Sequence, residues 1–177
     1  MKKVVFLTIF AALVMISSAA VAQTTASGTL NVTATVNGSI QLVFNSDASG
    51  LALSSGAGTN TATLAFGNVS AFGAISAGIV RSTTATTFTV SSAVDVQVSK
   101  TNSASANYTL KAQLGAADAV NNWTVGGIAV TNAAQSTLTA TGTYAANSNF
   151  PVAITVPFTT ASGTNISNTI NYTATAN

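Results

Sequence analysis

The sequence has no cysteine, no histidine and no glutamate, and only 5% of its 177 residues are charged. Ordinary globular chains carry about 25% charged residues. The missing side chains exclude disulfide bonds, a histidine general base, a cysteine nucleophile and zinc sites built from histidine or cysteine. The acids are Asp47, Asp95 and Asp118, and they lack the spacing of a calcium loop. We therefore predict a protein that is not an enzyme and that needs no metal or other cofactor.

Residues 1–22 have the layout of a bacterial secretory signal. Two lysines precede an apolar stretch, Val4–Ile16, and small residues at Ala20 and Ala22 match the preference of signal peptidase. The apolar stretch is shorter than the roughly 20 residues of a membrane-spanning helix. We predict cleavage after Ala22, a secreted or cell-surface protein that passes through the periplasm, and no membrane span after cleavage.

Removal of the signal leaves a chain whose side-chain charges cancel. Arg81, Lys100 and Lys111 then balance the three aspartates. Nucleic-acid binding needs a basic patch, and a lipid-surface site needs a polybasic one, so neither partner is predicted. A neutral surface opposes self-association only weakly, which favours further copies or another surface subunit as partners.

Apolar and polar residues alternate along most of the exported chain, which is the period of a half-buried β-strand. The longer predicted strands are Leu30–Val36, Ile40–Phe44, Val94–Ser99, Asn107–Leu114, Val152–Phe158 and Ile170–Thr175. Shorter candidates are Leu51–Leu53, Ala62–Phe66, Thr86–Val90, Gly127–Thr131 and Thr137–Tyr144. Many short strands with frequent turns predict one all-β domain over residues 23–177, an antiparallel β-sandwich with a closed barrel as the alternative.

Three local features refine this prediction. Asn37-Gly38 is a strong turn dipeptide between the first two strands. Pro157 cannot donate a ladder hydrogen bond, so its strand is expected to lie at a sheet edge there. A hairpin that joins Val94–Ser99 to Asn107–Leu114 would place Val96 opposite Leu110, and Asp95 opposite Lys111 as an exposed ion pair.

Trp123 is the one tryptophan and is flanked by Asn121, Asn122 and Thr124. An exposed indole beside amides is a candidate platform for stacking on a sugar ring. A buried indole at the edge of the core is the alternative, and it is the commoner place for tryptophan.

The segment that follows the signal, residues 23–36, allows two interpretations. Its apolar side chains, Leu30, Val32, Ala34 and Val36, share one face of a strand. They can form the first strand of their own sandwich, as neighbouring strands usually do. They can instead be donated to the sheet edge of another subunit, which would make these four residues strand-donation contacts.

The order of these motifs resembles bacterial surface β-sandwich proteins of the fimbria-like, pilin and spore-coat-U types. The resemblance lies in Thr29–Val36, Ser39–Phe44, Leu64–Val69, Asn107–Leu110 and Ile170–Asn177. It implies an immunoglobulin-like fold and assembly by strand donation. The chain departs from many pilins in having no cysteine and no aromatic residue just before its end.

Two functions agree with these observations. The first is a structural subunit of a bacterial cell-surface fibre or coat, which fits export, neutral charge and the absence of catalytic side chains. The second is a carbohydrate-binding or adhesive surface module, with polysaccharide as partner and Trp123 as its contact.

Overall fold

The computed structural model describes residues 27–177, and the predicted signal peptide lies outside them. Within this range there is no helix. The eleven strands are β1 (Ser39–Ser46), β2 (Val80–Thr83), β3 (Thr87–Ser92), β4 (Val94–Thr101), β5 (Tyr108–Leu114), β6 (Asn122–Val125), β7 (Ile128–Val130), β8 (Ser136–Gly142), β9 (Asn147–Asn149), β10 (Val152–Pro157) and β11 (Ile170–Ala176). Each pair of neighbouring strands is antiparallel. The predicted all-β, antiparallel class is therefore confirmed.

The hydrogen bonds define three sheets, β1-β4-β9, β2-β3-β10-β6-β7 and β11-β5-β8. The first two sheets continue each other without a shift in register. Ser92 pairs with Val152 in one and Asp95 with Asn149 in the other, and both pairs belong to the same antiparallel alignment. The Phe150 N–H also donates to the Val94 carbonyl at 2.8 Å, which bridges the gap between the two ladders. Thus β3 and β4 act as one long strand, β9 and β10 as another, and the eleven strands form two layers, as in a β-sandwich.

The core follows from the alternation that the sequence shows. Along β4, Val94, Val96 and Val98 are buried, whereas the residues between them are partly exposed. Along β5, Tyr108, Leu110, Ala112 and Leu114 are buried in the same way. Burial of one such side chain stabilises the fold by about 1.5–3 kcal/mol, so these two strands contribute much of the hydrophobic free energy.

The predicted hairpin between these two strands is wrong. β4 pairs with β1 and β9, whereas β5 pairs with β11 and β8. Asp95 and Lys111 therefore lie in different sheets and do not form the predicted cross-strand pair. The faces of both strands were predicted correctly, because alternation determines which side chains are buried but not which strand is the neighbour.

Three predicted strands and one predicted turn are also absent. Leu30–Val36, Leu51–Leu53 and Ala62–Phe66 form no strand. Gly38 does not have the positive φ of a type I′ turn, so Asn37-Gly38 does not form one. A glycine is needed there for close packing, because a Cβ would lie 2.6 Å from the Asn102 carbonyl oxygen.

Pro157 was expected to mark an edge strand, yet β10 lies between β3 and β6. The missing N–H of Pro157 limits pairing only at the end of β10. β6 pairs with β10 as far as Thr155, so Pro157 lies beyond β6 and pairs only with Thr87 of β3. Its missing N–H therefore costs no hydrogen bond to β6.

The chain divides into two units, with the boundary between Thr35 and Val36. Residues 36–177 contain all eleven strands and the core. The boundary falls inside residues 23–36, the segment for which the sequence allows two interpretations.

Candidate functional site: an apolar groove with unpaired strand edges

A groove of about 1700 Å³ opens on the unit that contains the strands. Its floor is made of side chains that alternate along the inner faces of β3, β6 and β10, and these are Phe88, Val90, Trp123, Val152, Ile154 and Val156. In β10 the residues between them, Ala153 and Thr155, do not line the groove. The floor is therefore the inner, apolar face of one sandwich layer.

The rim of the groove has a different composition. Here the lining residues are consecutive, as in Ile40–Leu42 of β1, residues 60–70, and residues 160–172, which include the start of β11. A strand seen from its face contributes every second residue, whereas a strand seen from its edge contributes consecutive ones. The groove is thus bounded by backbone edges, with an apolar floor between them.

Two of these edges carry unpaired backbone groups within residues 27–177. Thr169 and Asn177, which flank β11, bond to the β5 side through Gly115 and Asn107. Because backbone groups alternate in direction along a strand, those of Ile170, Tyr172 and Ala174 point away from β5. No described strand pairs with that edge of β11.

β1 shows the same arrangement. The backbone of Phe44 bonds away from β4, to Thr59 and Gly58 at 2.8 and 2.7 Å. Leu42 and Ile40 therefore also direct their backbone groups away from β4. The Phe44 and Tyr172 rings pack edge to face with their centroids 5.0 Å apart. This contact joins β1 and β11 at the base of the groove.

The predicted strand-donation segment forms no strand, and its four apolar side chains are exposed. The exposed fractions are 86% for Leu30, 82% for Val32 and 73% for Val36, and Ala34 is exposed as well. Apolar side chains that remain exposed along one segment mark it as a candidate interaction surface.

The structure places Trp123 in the core of the groove floor. Its ring is only 7% exposed, and its Nε1 donates to the Asp118 carboxylate at 2.8 Å. Stacking on a sugar ring needs an exposed aromatic face, which this burial does not provide. The sequence left Trp123 two interpretations, and its position is that of a core residue with a satisfied polar atom.

Asp118 stabilises this end of β6. Burial raises the pKa of its carboxyl, but hydrogen bonds from the backbone N–H groups of Asn121 and Val120 and from the side chains of Trp123 and Asn121 oppose this, and the net effect lowers the pKa to about 2. Asp118 also borders a small pocket of about 240 Å³ together with Asn121 and Thr160.

The other two acids lie together on the outer face of β1, β4 and β9. Asn149 Nδ2 donates to Asp47 at 2.8 Å and to Asp95 at 3.4 Å, and Asn147 also donates to Asp95. Hydrogen bonds from Ser49 hold the pKa of Asp47 below its ordinary value. Within residues 27–177, no group of three or more potential metal ligands of the histidine, cysteine, aspartate or glutamate type comes together.

The sequence did not reveal the groove, because its lining comes from segments that are far apart in the chain. The missed contributors include Leu64, Phe66 and Ile166. The strand-like alternation of Ala62–Phe66 was visible in the sequence, but nothing local linked it to β3, β6 and β10.

Comparison with protein-family models, with curated proteins and with solved structures finds no match to this chain. Among residues 27–177, no helix has the length and apolar character needed to cross a bilayer. The likeness to fimbria-like, pilin and spore-coat-U-type proteins stays a prediction from the sequence.

Proposed function

We propose that the chain is an exported structural subunit of a bacterial surface fibre, in which Gly28–Val36 of one copy inserts into the groove of the next. One observation carries this proposal. A nine-residue alternating segment is exposed and forms no strand, while the same chain has an apolar groove bounded by unpaired edges. An extended segment added to such an edge gains main-chain hydrogen bonds and places every second side chain in the groove.

The dimensions and chemistry of the two parts agree. Nine extended residues span about 30 Å at roughly 3.3 Å each, and β11 has seven residues, the first three of which line the groove. Burial of Leu30, Val32 and Val36 would stabilise the contact by about 1.5–3 kcal/mol for each side chain. The polar partners Asn31, Thr33 and Thr35 would then face solvent.

The geometry of this contact favours a fibre over a closed dimer. A segment on one copy and a groove on the next are different surfaces, so the contact is head to tail and can repeat without closing. The immunoglobulin-like topology belongs to the same proposal, because an inserted strand would complete the second layer beside β11. The buried position of Trp123 makes a sugar-binding module the weaker alternative.

The test compares two double variants of the exported chain. Leu30→Asp with Val32→Asp places charges on the face that enters the groove, whereas Asn31→Asp with Thr33→Asp places the same charges on the opposite face. We expect the unchanged chain and the second variant to form fibres, measured by light scattering and electron microscopy. The first variant should remain a folded monomer, because a buried unpaired carboxylate costs several kcal/mol.

Two results would contradict the proposal. One is an unchanged chain that remains monomeric at high concentration. The other is equal assembly by both variants, since the face of the segment would then not matter.

A further inference from the structure

Ala62–Phe66, here called the rim segment, has the pattern of a strand without being one. Ala62, Leu64 and Phe66 are half-buried, whereas Thr63 and Ala65 between them are exposed. Leu64 and Phe66 pack against the main hydrophobic core. This is the alternation of a strand at the surface of a sandwich, and yet the segment contributes only one isolated bridge, between Ser55 and Thr63.

The backbone of the rim segment bonds on one side only. The Thr63 N–H donates to the Ser55 carbonyl at 3.0 Å, and its own carbonyl accepts from Ser54 at 2.9 Å. In an extended chain the backbone groups of Leu64 and Phe66 therefore point the other way. Neither of these two N–H groups has a hydrogen-bond acceptor within residues 27–177. An extended segment whose alternate backbone groups are unpaired on one side has the features of an open sheet edge.

The unpaired edge borders the same groove as β11. The groove is lined by every residue from Asn60 to Ser70, which is the arrangement of a backbone edge and not of a sheet face. At the β1 side, by contrast, Phe44 is already bonded to Thr59 and Gly58, so part of that edge is occupied. The rim segment therefore offers an open edge at the groove besides the one that Ile40 and Leu42 leave in β1.

We propose that the inserted Gly28–Val36 segment of a second copy pairs on one edge with β11 and on its other edge with the rim segment, through the backbone of Leu64 and Phe66. This inference rests on the proposed function and adds the second pairing partner to it. Two segments that the sequence predicts as strands, and that form no ladder in the single chain, then become strands together in the assembly. Their inward side chains would close the groove from above.

The experiment uses the exported chain with Leu30→Asp and Val32→Asp as acceptor, so that its own segment cannot insert. A synthetic peptide with the sequence of residues 28–36 is the probe, and the same peptide with both aspartates is its control. Amide hydrogen exchange is followed residue by residue by NMR. If this acceptor is poorly folded by its amide spectrum, Val32→Asp alone takes its place.

We expect the unchanged peptide to slow exchange of the Leu64 and Phe66 amides by about tenfold or more, together with those of Tyr172 and Ala174. The Ala65 amide points away from the groove and should keep its rate. This alternation is a signature of ladder formation that general shielding by a bound peptide would not give.

The outcomes separate this inference from the proposed function. The peptide could slow amide exchange in β11 but not at Leu64 and Phe66, or slow it at Leu42 of β1 instead. Either result overturns the role of the rim segment and is consistent with strand donation. If the unchanged peptide does not bind, strand donation and the rim-segment pairing both fail.

Discussion

Asp118 contributes to stability through its charge, because its carboxylate accepts hydrogen bonds from the backbone of Val120 and Asn121 and from Trp123. Its pKa in the folded chain is about 2, below the ordinary value of 3.8. A group with a lowered pKa stabilises the fold above its ordinary pKa and loses that contribution as the pH falls through the folded value. The window for Asp118 is therefore between about pH 4 and pH 2.

Replacing Asp118 with Asn should remove this contribution. We expect Asp118→Asn to lower the free energy of unfolding at neutral pH by about 1 kcal/mol or less, because the amide cannot accept all of the bonds that the carboxylate accepts but the site is screened by solvent. It should also reduce the loss of stability between pH 4 and pH 2. Urea unfolding at a series of pH values measures both effects. A variant that loses as much stability between pH 4 and pH 2 as the unchanged chain would contradict this role of Asp118.

At the scale of one strand, β4 allows a direct test of its two faces. Val96 is fully buried between β1 and β9, whereas its neighbour Asp95 is partly exposed and bonds to the amides of Asn147 and Asn149. Val96→Asp should destabilise the fold by at least about 3 kcal/mol, because it buries an unpaired charge. Asp95→Asn should cost about 1 kcal/mol or less. Denaturant unfolding measures both, and comparable losses would show that the faces are assigned wrongly.

The elements show what alternation can and cannot predict. It gave the positions and faces of β1, β4, β5, β10 and β11, because a buried face requires an apolar residue at every second position. It missed β9, whose sequence Asn147–Asn149 is wholly polar, and β2 and β6, which are only four residues long. Pairing could not be predicted, since the wrong hairpin satisfied the alternation as well as the observed neighbours do.

The candidate site was predictable in part, for the same reason. The alternation of Leu30, Val32, Ala34 and Val36 predicts either a first strand of their own sandwich or a donated strand, because it is a local pattern, and donation stays a prediction. The groove that would receive them is built from β1, β3, β6, β10, β11 and two long loops, and no local pattern connects these segments. The rim segment was predictable only in part. Its alternation indicates a strand, but the sequence does not show that it would lack a partner strand in the single chain.

At the scale of the whole molecule, the distribution of charge predicts how assembly responds to salt. Cleavage after Ala22, which the sequence predicts, would leave three bases and three acids, so that the side chains of the remaining chain carry no net charge. Asp47 and Asp95 bond to amides on the outer face, and the groove lining contains no charged residue. The inserted segment, Gly28–Val36, has none either. The proposed contact is therefore apolar and backbone-mediated, without an ionic component.

Fibre growth should consequently be almost independent of ionic strength. From about 0.01 M to 0.15 M salt the Debye length falls from about 30 Å to about 8 Å, which would change a charge-steered association strongly. We expect the growth rate of the unchanged exported chain, measured by light scattering, to vary by less than about twofold over this range. The matched control carries Asn31→Asp and Thr33→Asp, which adds like charges along the outer face of the inserted segment, and its growth should accelerate with salt as their repulsion is screened. A strong salt dependence of the unchanged chain would mean that charged surfaces, and not the groove, bring the copies together.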